Sequence, residues 1–229
     1  MKNRILATAI LWILAIGLPL LIGDWGAFLL IAVFGTGAFV ELLNLLRLAG
    51  RPLDREIVIP AFTLLLLAVI LVPPWMIPPV AILFVGLCAV LVACLLKGAL
   101  GTFTEVALPT VGAVTFMLLP FMAIVLMVHE SGLLLLIWVV AVTKFGDVGA
   151  LLTGMWIGKH KMAPAFSPKK TWEGFAGGIL LSVVVSVIFS LVAAEWLPQG
   201  LTPVHAAWTA VFISAAGVLG DLTESVFKR

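Results

Sequence analysis

Apolar residues fill this chain in long, nearly unbroken stretches, and each stretch closes on a short break carrying charge, proline or glycine. A helix crossing a bilayer needs about 20 such residues. On that measure the pattern predicts eight helices, at about 5–22, 26–47, 57–72, 76–96, 107–128, 133–155, 174–194 and 204–227. The third is short, and Pro73-Pro74 with Pro78-Pro79 marks the turn that follows it. The fold class expected is all-α: a polytopic transmembrane helix bundle of about eight spans. It forms a single membrane-embedded domain over 1–229, with 1–130 as scaffold and 131–229 carrying the chemistry.

The placement of basic residues tests the span count, because cytoplasmic loops carry the Lys and Arg excess. With the N-terminus on the cytoplasmic side, Lys2, Arg4, Arg47, Arg51, Arg55, Lys97, Lys159, Lys161, Lys169, Lys170, Lys228 and Arg229 all fall inside. They are twelve of the 13 basic residues, and the other, Lys144, lies within the sixth span. One missed or invented span would scramble that split. The start Met1-Lys2-Asn3-Arg4 imitates a secretory leader, but the apolar stretch behind it is long and no small-residue cleavage site follows. A retained first helix is therefore expected.

Composition agrees, with 63% hydrophobic and 10% charged residues where a soluble domain has about a quarter charged. A net charge of only +2 indicates no general attraction to nucleic acid, which is not expected as a partner. Cys88 and Cys94 share one apolar run and read as packing residues rather than a metal site or a disulfide.

Ionisable residues inside a span are costly and by default mark a site. Lys144 and Asp147 share one face of the sixth helix, and Asp147 lies roughly 12 Å from its inner end near Met155. A structural ion pair beside Gly146, Gly149 and Gly154 is the competing reading. On the last helix Asp221, Glu224, Ser225 and Lys228 stand at i, i+3, i+4 and i+7. Two carboxylates and a hydroxyl suit a hard cation, and an ammonium suits a phosphate; a solvated helix end is the alternative.

Between these clusters runs the longest polar inside loop, from Gly158-Lys159-His160-Lys161 to Ser167-Pro168-Lys169-Lys170-Thr171-Trp172-Glu173-Gly174. Ser167 before Pro168, or Thr171 with Glu173 in the next turn, would cap a helix start, and Lys169 and Lys170 beside its N–H groups make a phosphate site. A loop that only sets topology or touches anionic lipid is the alternative. His160 could donate to a phosphate or simply be solvated. His129-Glu130 and His205 fall at the opposite face and are assigned no chemistry. Glu41, with Asn44 close by, is expected to be a buried structural polar group.

Two strings carry a family likeness. SPKKTWEGFAGG at 167–178, preceded by GKHK at 158–161 and followed by GDLTESVFKR at 220–229, resembles the phosphatidate cytidylyltransferase (CDP-diacylglycerol synthase) family. Asp147 falls where members carry an Asp in the helix before the Gly-Lys loop. Residues 140–229 hold the recognisable part, and the first half is similar only as a set of spans.

The resemblance implies transfer of a cytidylyl group from CTP to phosphatidate, giving CDP-diacylglycerol and pyrophosphate with Mg²⁺ required. It implies a multi-pass protein of the bacterial inner (plasma) membrane whose site faces the cytoplasm. CTP, phosphatidate and membrane lipid are the partners it implies, with a second copy of the chain, as a homodimer, as a further candidate. Lys169, Lys170, Asp221, Ser225 and Lys228 become the candidate catalytic residues. Lys144, Lys159, His160, Ser167, Thr171, Glu173 and Arg229 become the substrate-binding ones, and Asp147, Asp221 and Glu224 the metal ligands.

Members usually continue past this Lys-Arg with a Lys-Asp pair and a Pro-Gly-His-Gly-Gly segment leading to an Asp-Arg, whereas this sequence stops at Arg229. Met155 and Trp156 also stand where a basic residue is often seen. The resemblance thus implies a metal site short of one carboxylate, and an inactive truncated family member is one rival reading. An ion-coupled transporter using Lys144 and Asp147 in a permeation path is the other, although the first half has no matching polar break.

Overall fold

The computed structural model describes residues 14, 17–48, 50, 53–96, 103–164, 167–198 and 201–227. The first expected span lies largely outside them, and of it residues 14 and 17–22 are helical. The chain divides into two compact units, residues 1–133 and 134–229.

The first unit holds α1 (Asp24–Leu48), α2 (Arg55–Leu71), α3 (Pro79–Leu96) and α4 (Phe103–Ser131). Its core is aromatic and branched: Phe39 stacks on Phe62 with ring centroids 4.1 Å apart, and Leu43, Leu66, Val114 and Leu118 are fully enclosed. At one end the Arg55 guanidinium donates to the Asn44 side chain, joining α1 to α2. At the other, His129 Nε2 lies 3.1 Å from the Ile70 carbonyl and its ring 4.7 Å from Phe28. His129 therefore ties three helices together.

Glu41 departs from expectation, being exposed on α1 while Asn44 serves Arg55 instead. The cause is helical phase. Position 41 is about 200° round the helix from both Phe39 and Leu43, so turning those two inward turns Glu41 out.

The second unit holds α5 (Leu133–Ile157), β1 (Lys161–Ala163), β2 (Ser167–Thr171), α6 (Trp172–Val192) and α7 (Pro203–Phe227). The buried residues of α6 are Gly174, Gly178, Ser182, Ser186 and Ser190, one small residue every four positions. That stripe lets backbones meet. A Cβ on Gly178 would lie 2.9 Å from the Gly146 carbonyl oxygen, and one on Gly149 would lie 2.8 Å from both the Gly177 oxygen and Leu181 Cβ.

Hydroxyls bridge the same interfaces. Ser182 donates to the Val142 carbonyl at 3.0 Å, Trp138 Nε1 to Ser186 at 3.2 Å, and Ser186 to the Ala206 carbonyl at 2.8 Å. In a bilayer, where association gains little from expelling water, such contacts hold helices together. Replacing Gly149 by Ala is expected to destabilise the unit by about 1–3 kcal/mol through overpacking. Thermal unfolding in detergent will show a lowered midpoint, whereas Gly220→Ala, whose Cβ would meet nothing within 4 Å, will not lower it.

Among the described residues, five helical segments are long and apolar enough to cross a membrane: Asp24–Leu48, Val106–Ser131, Leu133–Ile157, Trp172–Val192 and Pro203–Thr223. α2 has 17 residues. The segment expected as an irregular loop is partly a ribbon, with β1 and β2 antiparallel and Lys161 opposite Thr171. Both strands are edges, so Pro168 removes no required ladder donor. A lysine- and proline-rich string conceals this strand, because its pairing satisfies backbone groups without burying an apolar face.

Candidate active site

Local capping sets the geometry. Thr171 has extended backbone (φ −126°, ψ 154°) and its side chain accepts from the Gly174 N–H at 3.1 Å, so Thr171, not Ser167, is the N-cap of α6. Glycines keep this cap close to the end of α5. A Cβ on Gly158 would lie 2.8 Å from Thr171 Oγ1, and one on Gly154 would lie 3.2 Å from it. Ser167 instead pairs opposite Ala163 in the ribbon.

Glu173, in the first turn of α6, closes the loop after α5. Its carboxylate accepts from the Lys159 N–H at 3.1 Å and the His160 N–H at 3.2 Å, and lies 2.6 Å from His160 Nδ1. Expected at the substrate, Glu173 is placed as a clasp on the Gly-Lys-His turn and does not line the cleft described below. Glu173→Ala is expected to free that turn, raising the rate of tryptic cleavage at Lys159 and Lys161 several-fold. Limited proteolysis followed by mass spectrometry reads this directly.

Held between these anchors is a cleft of about 240 Å³ lined by residues of α5, both strands, α6 and α7. Asp147 from α5, Lys169 and Lys170 from β2, and Asp221 from α7 all face it, with Thr171 at its edge. Lys170 Nζ donates to Asp221 Oδ2 at 3.1 Å and to the Val218 carbonyl at 3.2 Å, tethering the ribbon to α7. Lys144 Nζ lies 3.3 Å from Asp147 Oδ2, one turn away on the same helix. Both carboxylates remain more than half exposed, 55% for Asp147 and 58% for Asp221, and so stay open to a ligand.

Of the remaining expected site residues, those that the structure describes do not line the cleft. Lys144 reaches the cleft only through Asp147, and Lys159 and His160 belong to the clasped turn. The Ser225 hydroxyl donates back to the Asp221 carbonyl at 2.8 Å, an ordinary i−4 bond within the helix. Lys228, Arg229 and the side chain of Glu224 lie outside the described residues. Among the described residues no group of three His, Cys, Asp or Glu side chains stands ready to hold a metal. Among the described residues, the carboxylates that line the cleft are Asp147 and Asp221.

Sequence reasoning passed over Ser214 and Gly217, which also line the cleft. Stepping back from Asp221 at helical spacing gives Val218, Gly217 and Ser214, so the stripe read forward from Asp221 also runs backward into the membrane.

The model of a family described as "Cytidylyltransferase family" matches residues 2–229. A phosphatidate cytidylyltransferase of Bacillus subtilis (strain 168) is 32% identical over 239 residues, covering 100% of this chain and 84% of the relative. One from Haemophilus influenzae is 38% identical over 120 residues, 49% of this chain and 42% of the relative. One from Mycobacterium bovis is 42% identical over 83 residues, 36% of this chain and 26% of the relative.

Proposed function

The chain belongs to the cytidylyltransferase family, and from that premise we propose that it transfers the cytidylyl group of CTP to the phosphate of phosphatidate, forming CDP-diacylglycerol and releasing pyrophosphate. Its long apolar helices make it a multi-pass membrane protein. The observation that carries the reading is the convergence of Asp147, Lys169, Lys170 and Asp221 on one cleft from three separate elements.

The chemistry needs charge more than it needs a base. The lipid phosphate is already an anion, so the barrier lies in bringing it to the α-phosphorus of an equally negative triphosphate. An oxygen of the lipid phosphate forms the new bond to that phosphorus as the bond to the β-phosphate breaks, and pyrophosphate leaves with the electron pair. Lys170 has three N–H donors; two serve Asp221 and the Val218 carbonyl, which leaves one for a phosphate oxygen. Lys169, exposed beside it, adds a second ammonium.

Asp147 and Asp221 fit Mg²⁺, which commonly takes one or two carboxylates and completes its shell from substrate phosphates and water. Bound there, Mg²⁺ would neutralise phosphoryl oxygens and stabilise the departing pyrophosphate. The one-sided distribution of basic residues supports a cytoplasmic N-terminus and a site at the cytoplasmic side of a bacterial inner membrane. CTP then arrives from water while phosphatidate enters from the leaflet.

The test is pyrophosphate release by the purified protein in nanodiscs, with each of CTP, UTP, ATP and GTP. Release is expected with CTP only, only when phosphatidate is present, and to stop on chelation of divalent ions. Release without phosphatidate, or equal release with all four nucleotides, would overturn the reading.

A further inference from the structure

At the membrane-side end of the cleft one polar group is left over. Ser214 is 8% exposed and lines the cavity, and among the described residues its hydroxyl has no hydrogen-bond partner. Helical hydroxyls nearby bond the preceding turn: Thr143 to the Val139 carbonyl, Thr209 to that of His205, and Thr223 to that of Leu219. Ser214 does not. No enclosed side-chain oxygen or nitrogen among the described residues lacks a partner, so the Ser214 oxygen opens into the cavity.

The adjoining wall carries no side chain at position 146. Gly146 faces Ser214 across the cleft, and a Cβ there would lie 3.4 Å from Ser214 Oγ and 2.5 Å from Ser182 Oγ. A side chain at position 146 would clash with Ser182 and touch the Ser214 hydroxyl. The Ser214 O–H, with no acceptor among the described residues, is left to pair with an acceptor that enters the cavity.

Ser214 precedes Asp221 by two helical turns, about 10 Å toward the membrane interior. The phosphate-facing groups lie at one end of the cleft, and at the other Ser214 sits among Ile213, Gly217 and Gly178. A cytosine edge presents an amino donor and two acceptors, and a single hydroxyl among apolar walls would leave most of them unpaired. An ester carbonyl only accepts, a few bonds below a lipid phosphate, and a single O–H satisfies it.

Building on the reaction proposed above, we infer that Ser214 donates a hydrogen bond to a fatty-acyl ester carbonyl of phosphatidate and so selects a diacyl over an ether-linked lipid. The experiment uses the purified full chain and short-chain dioctanoyl phosphatidate, compared with its dioctyl ether, which lacks both carbonyls. Dissociation constants are measured without nucleotide, and the KM for CTP separately. Ser214→Ala breaks no bond among the described residues and is expected to fold.

The variant should bind the diacyl lipid about five-fold more weakly, with the ether lipid and the KM for CTP unchanged. Equal binding of the diacyl lipid by variant and wild type would overturn the inference. So would an equal loss for the ether lipid, which indicates a change of cleft shape, or a raised KM for CTP, which places the nucleoside there. The binding arm decides this without turnover, so a wild type that binds lipid and transfers nothing counts against the proposed reaction alone.

Discussion

Asp221→Asn is expected to lower cytidylyl transfer by about 100-fold or more, since it removes negative charge from the cleft while keeping the side chain's shape. The carboxylate is 58% exposed, so the fold does not depend on its burial. Its partner Lys170 keeps the Val218 carbonyl, and the melting temperature should move by no more than a few degrees. Raising the Mg²⁺ concentration should recover part of the loss if Asp221 holds the ion. A variant transferring within about three-fold of wild type would remove Asp221 from the proposed metal site.

Lys170→Gln is the second large effect, at about 100-fold, for a different reason. Lys170 is the less exposed of its pair, 24% against 58%, and it tethers the ribbon to α7 while, in the proposed reaction, offering its charge to the phosphates. Because Lys170 and Asp221 act through one contact, the double variant Lys170→Gln/Asp221→Asn should be little worse than either single change. Lys169→Gln, which removes a charge but no tether, should cost less, about 10-fold. Fully additive losses in the double variant would mean that the two residues act independently.

Much of this arrangement was legible because the bilayer imposes a simple rule on sequence. Spans must be long and apolar, so the helices containing Phe39, Trp138 and Ser186 could be placed to within a few residues. Charge inside such a span stands out, which led to Asp147, and the stripe at the end of the last helix led to Asp221.

What stayed hidden has physical causes. β1 and β2 pair through backbone groups, which leave no mark on side-chain pattern, so Pro168 and two lysines concealed a strand. Ser167 and Thr171 are equally good caps by composition, and only the packing of Gly154 and Gly158 against Thr171 separates them. Glu173 looked like a substrate group because an exposed carboxylate beside two lysines carries no sign that its partners are the Lys159 and His160 backbone amides. Ser214 was overlooked because serine is ordinary in a membrane helix, and its distinction is a bond it does not make.

The most direct test of a cytidylyl-transfer site follows the two ends of the nucleotide. Purified protein in phosphatidate nanodiscs receives CTP labelled with ³²P at either the α- or the γ-phosphate, and lipid and water-soluble products are separated. α-Label should enter the lipid and γ-label should appear only in pyrophosphate, both in proportion to enzyme and both lost in Asp221→Asn. γ-Label in the lipid, or α-label excluded from it, would contradict the reaction assigned to this cleft.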